Sequence, residues 1–190
     1  MTDLALPEFS IKGRRGMGLK SLMAAIGAYY RRLLNISPVS TGDNFTDGPV
    51  ASHERISYFV RTEKHVDKKT QCVRPEAFMP RKFDGRFETS VYRTNDLTDE
   101  AVWEICRTYY ETLANLIAKG RGDGLAECVL KGGLRFDPNG DPHPRHADII
   151  GWFDDPSLDD KDLKHHWMSA ARRFAGDFNF KPRPAVEPRS

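Results

Sequence analysis

The hydrophobic period of this chain changes in an order that few folds accommodate. Three strand-length runs come before the first helical pattern of the main body. Arg55 to Arg61 (RISYFVR) reads as a strand, and Cys72 to Met79 (CVRPEAFM) as an extended piece that Pro75 restricts to an edge or an interruption. Phe87 to Arg93 (FETSVYR) alternates strictly. The period then becomes helical, with Val102, Ile105, Cys106, Tyr109, Leu113, Leu116 and Ile117 at i, i+3, i+4 spacing. Thr98 is placed to cap that helix, Asp99 and Glu100 suit its positive end, and Gly120 is placed to stop it. Beyond it, 126–130 and 134–137 read as a strand pair around Gly132-Gly133, and Ala147 to Phe153 (ADIIGWF) as a buried strand. A last helix opens near Ser157, with Leu163, Trp167, Ala170, Ala171 and Phe174 as its apolar face. Three strands ahead of the first helix exclude strict βαβ alternation. The expectation is an α+β fold: a mixed or antiparallel sheet packed by two helices on one face.

The two ends differ from this body. Residues 1–52 hold six Lys/Arg against four Asp/Glu, so the net charge of +2 resides there and the remainder is neutral. Leu19, Leu22, Met23, Ile26, Tyr30, Leu33 and Leu34 make an amphipathic helix over 18–35, and 36–52 is a turn-rich linker. The compact domain is expected over 53–178, and the proline- and charge-rich residues 179–190 as a disordered tail. A body of roughly 135–140 residues buries about two-thirds of its unfolded surface, so no staple is required. Cys72, Cys106 and Cys128 form no CxxC pair, and their odd number suits a reducing compartment. No run approaches the roughly 18–20 apolar residues of a membrane-spanning helix. The patch Leu22 to Tyr30 is too late, and too closely followed by Arg31 and Arg32, for a secretory signal. A cytoplasmic protein of bacterial style is the expectation. The small net charge argues against coating duplex DNA, which needs a larger basic excess.

The segment DPNGDPHPRHAD, Asp137 to Asp148, is the richest in chemistry-bearing side chains. His143 and His146 are expected catalytic residues, since imidazole transfers protons near neutral pH, and Arg145 would stabilise charge. On the preceding strand Glu88, Ser90 and Tyr92 share one face and Thr89, Val91 and Arg93 the other. Glu88 is the third expected catalytic group; Tyr92 and Arg93 are expected substrate contacts, with Arg74 from the basic–aromatic stretch 61–87. The blander reading makes the first segment a solvated, proline-stiffened loop and the second the wet side of a strand. Asp137, Asn139, Asp141 and Asp148 occupy positions of a calcium-loop template, but Pro142 stands where glycine is needed. A zinc site on the two histidines lacks a third ligand nearby. No metal or cofactor is expected. There is no GxSxG, Walker loop, HExxH or dinucleotide fingerprint, and GRGDG at 120–124 reads as a turn.

VRPEAFMP, ETSVYRT with its acidic helix start, and HADIIGW together resemble a pattern in small uncharacterised bacterial proteins. The resemblance covers roughly residues 55–175, leaves out the N-terminal segment, and implies that the three motifs belong to one domain. It carries no activity. From the residues alone the expected function is an enzyme or effector acting on RNA or a nucleotide by metal-independent His/Glu/Arg chemistry. The alternative is a non-catalytic protein-interaction module, or an accessory subunit, docking through the N-terminal helix.

That helix generates a prediction. Its stripe runs about five turns at 3.6 residues per turn, and such a helix draws its stability from packing. Lys20, Arg31 and Arg32 lie at its ends, and Gly18, Ala24, Ala25, Gly27 and Ala28 suit close approach to protein better than lipid insertion. In liposome flotation the full chain is expected to stay off anionic vesicles. Salt-sensitive binding that disappears on deleting residues 1–36 would reverse that ranking.

Overall fold

The computed structural model describes residues 48–112, 115–140 and 142–185. The expected helix 18–35 and most of its linker lie outside them, as do Leu113 and Asp141. In chain order the elements are β1 Arg55–Val60, β2 Val66–Asp67, β3 Cys72–Val73, β4 Arg81–Phe83 and β5 Arg86–Arg93. Then come α1 Asp99–Ile105, continued by a π-helical segment Cys106–Glu111, β6 Gly120–Leu125 and α2 Ala126–Lys131. β7 Arg135–Asp137, β8 His146–Ile150, α3 Asp160–Arg172 and β9 Asn179–Pro182 complete the order.

The described strands form one nine-stranded sheet in the order β2-β3-β9-β6-β1-β5-β8-β7, with β4 paired to β5. Every pairing is antiparallel. The fold is therefore α+β with an antiparallel sheet. Asp84 and Gly85, both at positive φ (48° and 82°), close the β4–β5 hairpin, as an Asp-Gly pair does where both turn residues need that conformation.

The helices pack on both faces rather than one. Ile56, Tyr58 and Val60 of β1 and Val91 of β5 share a core with Ile149 and with Leu163, Trp167 and Ala171 of α3. Phe59 and Tyr92, one residue out of phase, face Val102, Trp103, Ile105 and Cys106 of the α1 region. Strand alternation separates these two clusters onto opposite faces. Phe78, Phe174 and Phe178 close the first with ring centroids 4.8–6.1 Å apart. Thr98 caps α1 as expected, accepting from Ala101 N at 3.3 Å. Asp159 rather than Ser157 caps α3, accepting from Lys161 N and Asp162 N at 2.9 Å each.

Three further expectations fail for tertiary reasons. GRGDG is not a turn but β6, flanked by β1 and β9. A Cβ at Gly122 would stand 2.3 Å from Val73 Cγ2, and one at Gly120 would stand 2.2 Å from the Phe180 ring. The glycines make room for β3 and β9 while Arg121 and Asp123 project from the other face. Residues 126–130, expected extended, form α2, whose apolar side Ala126 and Val129 is buried in the α3-side core. Residues 179–182, expected to be disordered, form β9 and pair with β6 from Gly120↔Pro182 to Asp123↔Asn179. Pro182 sits at the strand's end, where a missing N–H does little harm. Among the described residues no helix is long and apolar enough to cross a membrane.

Gly122→Ala is expected to lower stability by about 1–3 kcal/mol, the usual cost of overpacking. Gly176→Ala, with nothing within 4 Å of the added carbon, should stay within about 0.5 kcal/mol of the parent. Denaturant midpoints of the two variants test this; equal midpoints would mean that β6 does not need its glycines.

Candidate functional site

Register brings the two expected segments together. Tyr92 of β5 pairs with His146 of β8, and Ser90 pairs with Asp148. Their side chains lie on the α1 face, with Asp137 of β7 opposite Asp148. The Tyr92 and His146 rings meet edge-to-face at 5.3 Å. The π-helical segment adds Tyr109, whose ring lies 4.7 Å from His143, and Tyr110, tilted against Phe59 at 5.1 Å. Such segments shift consecutive side chains out of the ordinary helical step, which lets Tyr109 and Tyr110 both meet groups of the sheet side. α1 covers Tyr92 but not Ser90, which is exposed two residues earlier.

The floor is a polar network built on two buried groups and bridged from the surface. His146 is 6% exposed and Asp148 2%. Asn139 bridges them: its Oδ1 lies 2.7 Å from His146 Nδ1, and its Nδ2 donates to Asp148 Oδ2 at 2.5 Å. Ser90 Oγ donates to Asp148 Oδ1 at 3.2 Å, and His146 Nε2 stands 3.8 Å from that same oxygen. Burial pushes the Asp148 carboxyl up from its ordinary value, against the pull of Ser90, Arg86 and Asn139. Burial also raises the Tyr92 phenol far out of the working range. These groups do not make a serine relay, because the carboxylate, not the imidazole, touches the hydroxyl.

The rim is ionic. Arg86 Nη2 reaches Asp137 at 2.6 Å and Asp148 at 3.8 Å, while its Nε donates to Glu88 at 2.9 Å. Glu88 is thus near the floor but tied to Arg86. His143 Nδ1 accepts from the Arg145 backbone N–H at 3.1 Å, which orients its ring toward Tyr109.

The expected arginines do not join this floor. Arg93 lies opposite Ile56 on the other face, forked onto Glu54 at 2.7 and 2.8 Å and bonded to Gly48 O at 2.9 Å. Arg145 is buried and donates to Arg93 O at 3.4 Å and Asn95 O at 3.1 Å. Both knit the end of β5 to its neighbours. Arg74 is exposed at the head of the 3₁₀ turn Pro75–Phe78, just past β3, and β9, β6 and β1 separate β3 from β5. Asp148, Asn139, Ser90, Arg86 and Tyr109 are the members that residue-type reasoning passed over. The i, i+2 step from His146 to Asp148, repeating Ser90 to Tyr92, was the available signal.

Cys106 is buried on the apolar side of α1, and burial holds its thiol up at about 12, so it is no nucleophile. Cys72 and Cys128 are also free thiols. Among the described residues no group of three or more His, Cys, Asp or Glu is placed to hold a metal ion. No protein-family model, no curated protein and no solved structure matches this chain.

Two substitutions separate scaffold from floor. Arg93→Ala strands the buried Glu54 carboxylate and is expected to cost about 3–5 kcal/mol. Burial pushes Glu54 up, but the Arg93 and Ala51 hydrogen bonds outweigh it and hold the carboxyl below its ordinary value. Its contribution is therefore present above the unfolded value and lost as pH falls through the folded one. Asp148 has the opposite sign. Its raised folded value means that stability declines as pH rises through the window between unfolded and folded values. Asp148→Asn should therefore unfold no more easily than the parent at neutral pH. Thermal melts at neutral and acidic pH read both signs, and an Asp148→Asn melt well below the parent at neutral pH would contradict the second.

Proposed function

We propose that this protein acts on a nucleotide-class ligand, single-stranded RNA in the first instance, by metal-independent acid–base chemistry at Asp148 and His146. What carries the reading is the pair of buried groups, Asp148 and His146, bridged by the exposed Asn139 beneath an exposed serine. Buried ionisable groups cost stability, and raised carboxyl values gather where proton transfer is used. His146 Nε2 and Asp148 Oδ1 are 3.8 Å apart, close enough for one donor atom to bond both at about 2.8 Å. A water or a ligand hydroxyl there would meet an imidazole and a carboxyl together. Tyr109 and His143, packed edge-to-face on the same side of the sheet, supply aromatic rings of the kind on which bases stack.

The charge-stabilising role falls to Arg86, whose side chain is 37% exposed, since Arg93 and Arg145 are engaged elsewhere. That engagement also favours the second reading, a binding module without turnover. Glu88, first expected to be catalytic, takes the role of holding Arg86.

The experiment is cleavage and binding of end-labelled single-stranded RNA by the full chain in chelator-containing buffer. Cleavage is expected, and His146→Gln and Asp148→Asn should each slow it by about 10²–10⁴-fold, the range of general acid–base groups. Binding without cleavage supports the module. Failure to bind RNA or mononucleotides at about 1 mM, an affinity of only about 4 kcal/mol, removes the nucleotide reading altogether.

A further inference from the structure

Asn139 stands between the two working groups, and its carboxamide has a direction. The nitrogen end only donates and the oxygen end only accepts. With Nδ2 donating to Asp148 Oδ2 at 2.5 Å, it is Oδ1 that faces His146 Nδ1 at 2.7 Å. An oxygen there requires a hydrogen on Nδ1. A neutral imidazole carries one ring hydrogen, so the lone pair is left on Nε2. Turning the carboxamide over would set its oxygen against a carboxylate oxygen, which repels unless Asp148 is protonated.

Backbone geometry holds the carboxamide in place. Asn139 follows β7, which is paired to β8 through Asp137↔Asp148. The next residue, Gly140, takes a φ of +65° and donates its N–H to His146 O at 3.3 Å. The loop is thus tied to the same strand that carries His146 and Asp148. On that strand the two are i, i+2 neighbours on one face, a spacing that a single short side chain can bridge.

We infer that Asn139 is a positioning residue: it holds neutral His146 as the Nδ1–H tautomer and so presents Nε2 as a proton acceptor beside Asp148 Oδ1 and Ser90. What that acceptor acts on rests on the nucleotide reading above; the tautomer does not. The consequence is a selection rule. An imidazole acceptor at Nε2 pairs with a ligand group that brings a hydrogen, such as a sugar hydroxyl, and repels an unprotonated phosphate oxygen.

The test is the imidazole two-bond ¹H–¹⁵N correlation spectrum of the ¹⁵N-labelled full chain, with no ligand present. It is recorded about two pH units above the ordinary imidazole value of about 6.5, with His146→Gln identifying the ring. The expected pattern is a protonated-type Nδ1 and an unprotonated-type Nε2. In Asn139→Ala the ring should move to the Nε2–H form or to a mixture. The indole N–H signals of Trp152 and Trp167, bonded to Ile149 O and Phe153 O, report that the variant is folded. An Nε2–H ring in the parent, a doubly protonated ring at that pH, or an Nδ1–H pattern that persists in folded Asn139→Ala would overturn the inference. Should Asn139→Ala fail to fold, the parent spectrum alone decides. A protein that cleaves no RNA yet shows the expected tautomer keeps this inference and loses the nucleotide reading.

Discussion

Arg121 carries its charge where no water reaches it, and much of the α1 face is arranged around that fact. It is 0% exposed on a central strand. Its guanidinium is held by Asp123 at 3.0 Å and by Asp99 at 2.5 Å, with the Trp103 ring 5.2 Å away. Lys181 of β9 reaches both carboxylates, at 3.1 and 3.2 Å. Ser57 completes the set by donating to Asp123 at 2.6 Å. A lone buried cation costs several kcal/mol, and only such a set of partners offsets it. Because Asp99 opens α1, the network also decides where that helix starts over the sheet. Arg183, paired to Glu111, pins the other end of the same helical stretch. β9 and the residue that follows it therefore secure α1 and its π-helical continuation at their two ends, and with them the placement of Tyr109 over His143.

A sheet covered on both faces makes strand parity decisive. Tyr92 and Arg93 are neighbours in the chain, yet one lines the floor of the candidate site and the other is buried against Glu54 on the far side. The same parity separates Ala147 from His146 and Asp148. On the α1 face one charged network forms around Arg121 beneath α1 and another around Asp148 where Ser90 is exposed. The first serves the fold. The second leaves an exposed hydroxyl above buried titratable groups, which is why it is the place to look for chemistry.

Parts of that site could be read in advance. The alternation of FETSVYR put Glu88, Ser90 and Tyr92 on one face, and the HADII run made a buried partner strand credible. Residue type then misdirected the choice of cations. Arg93 and Arg145 carry the right groups for phosphate, but their partners are a carboxylate 39 residues away and backbone carbonyls, none of which has a local signature. Asn139 entered only as a poor fit to a calcium template, because its role depends on which strand β7 pairs with. Asp148 entered the same way, its register with Ser90 being a tertiary fact.

Local physics settled the strand-like period of 55–60 and 86–93, the cap at Thr98, the helical faces of 99–106 and 160–172, and the turn at Asp84-Gly85. These depend on neighbours a few residues away, so they are written in the chain. Which face each helix covers, the inclusion of GRGDG as a strand, the recruitment of 179–182 into the sheet, and the pairing of Arg93 with Glu54 were decided elsewhere. Glycine at 120, 122 and 124 reads locally as flexibility. Only the arrival of Val73, Phe178 and Phe180 makes it a packing requirement. A proline-rich end reads locally as disorder, and only the unpaired edge of β6 turns it into a strand. Local signals act over a few residues, whereas burial and strand pairing depend on parts of the chain that come together only in the folded state.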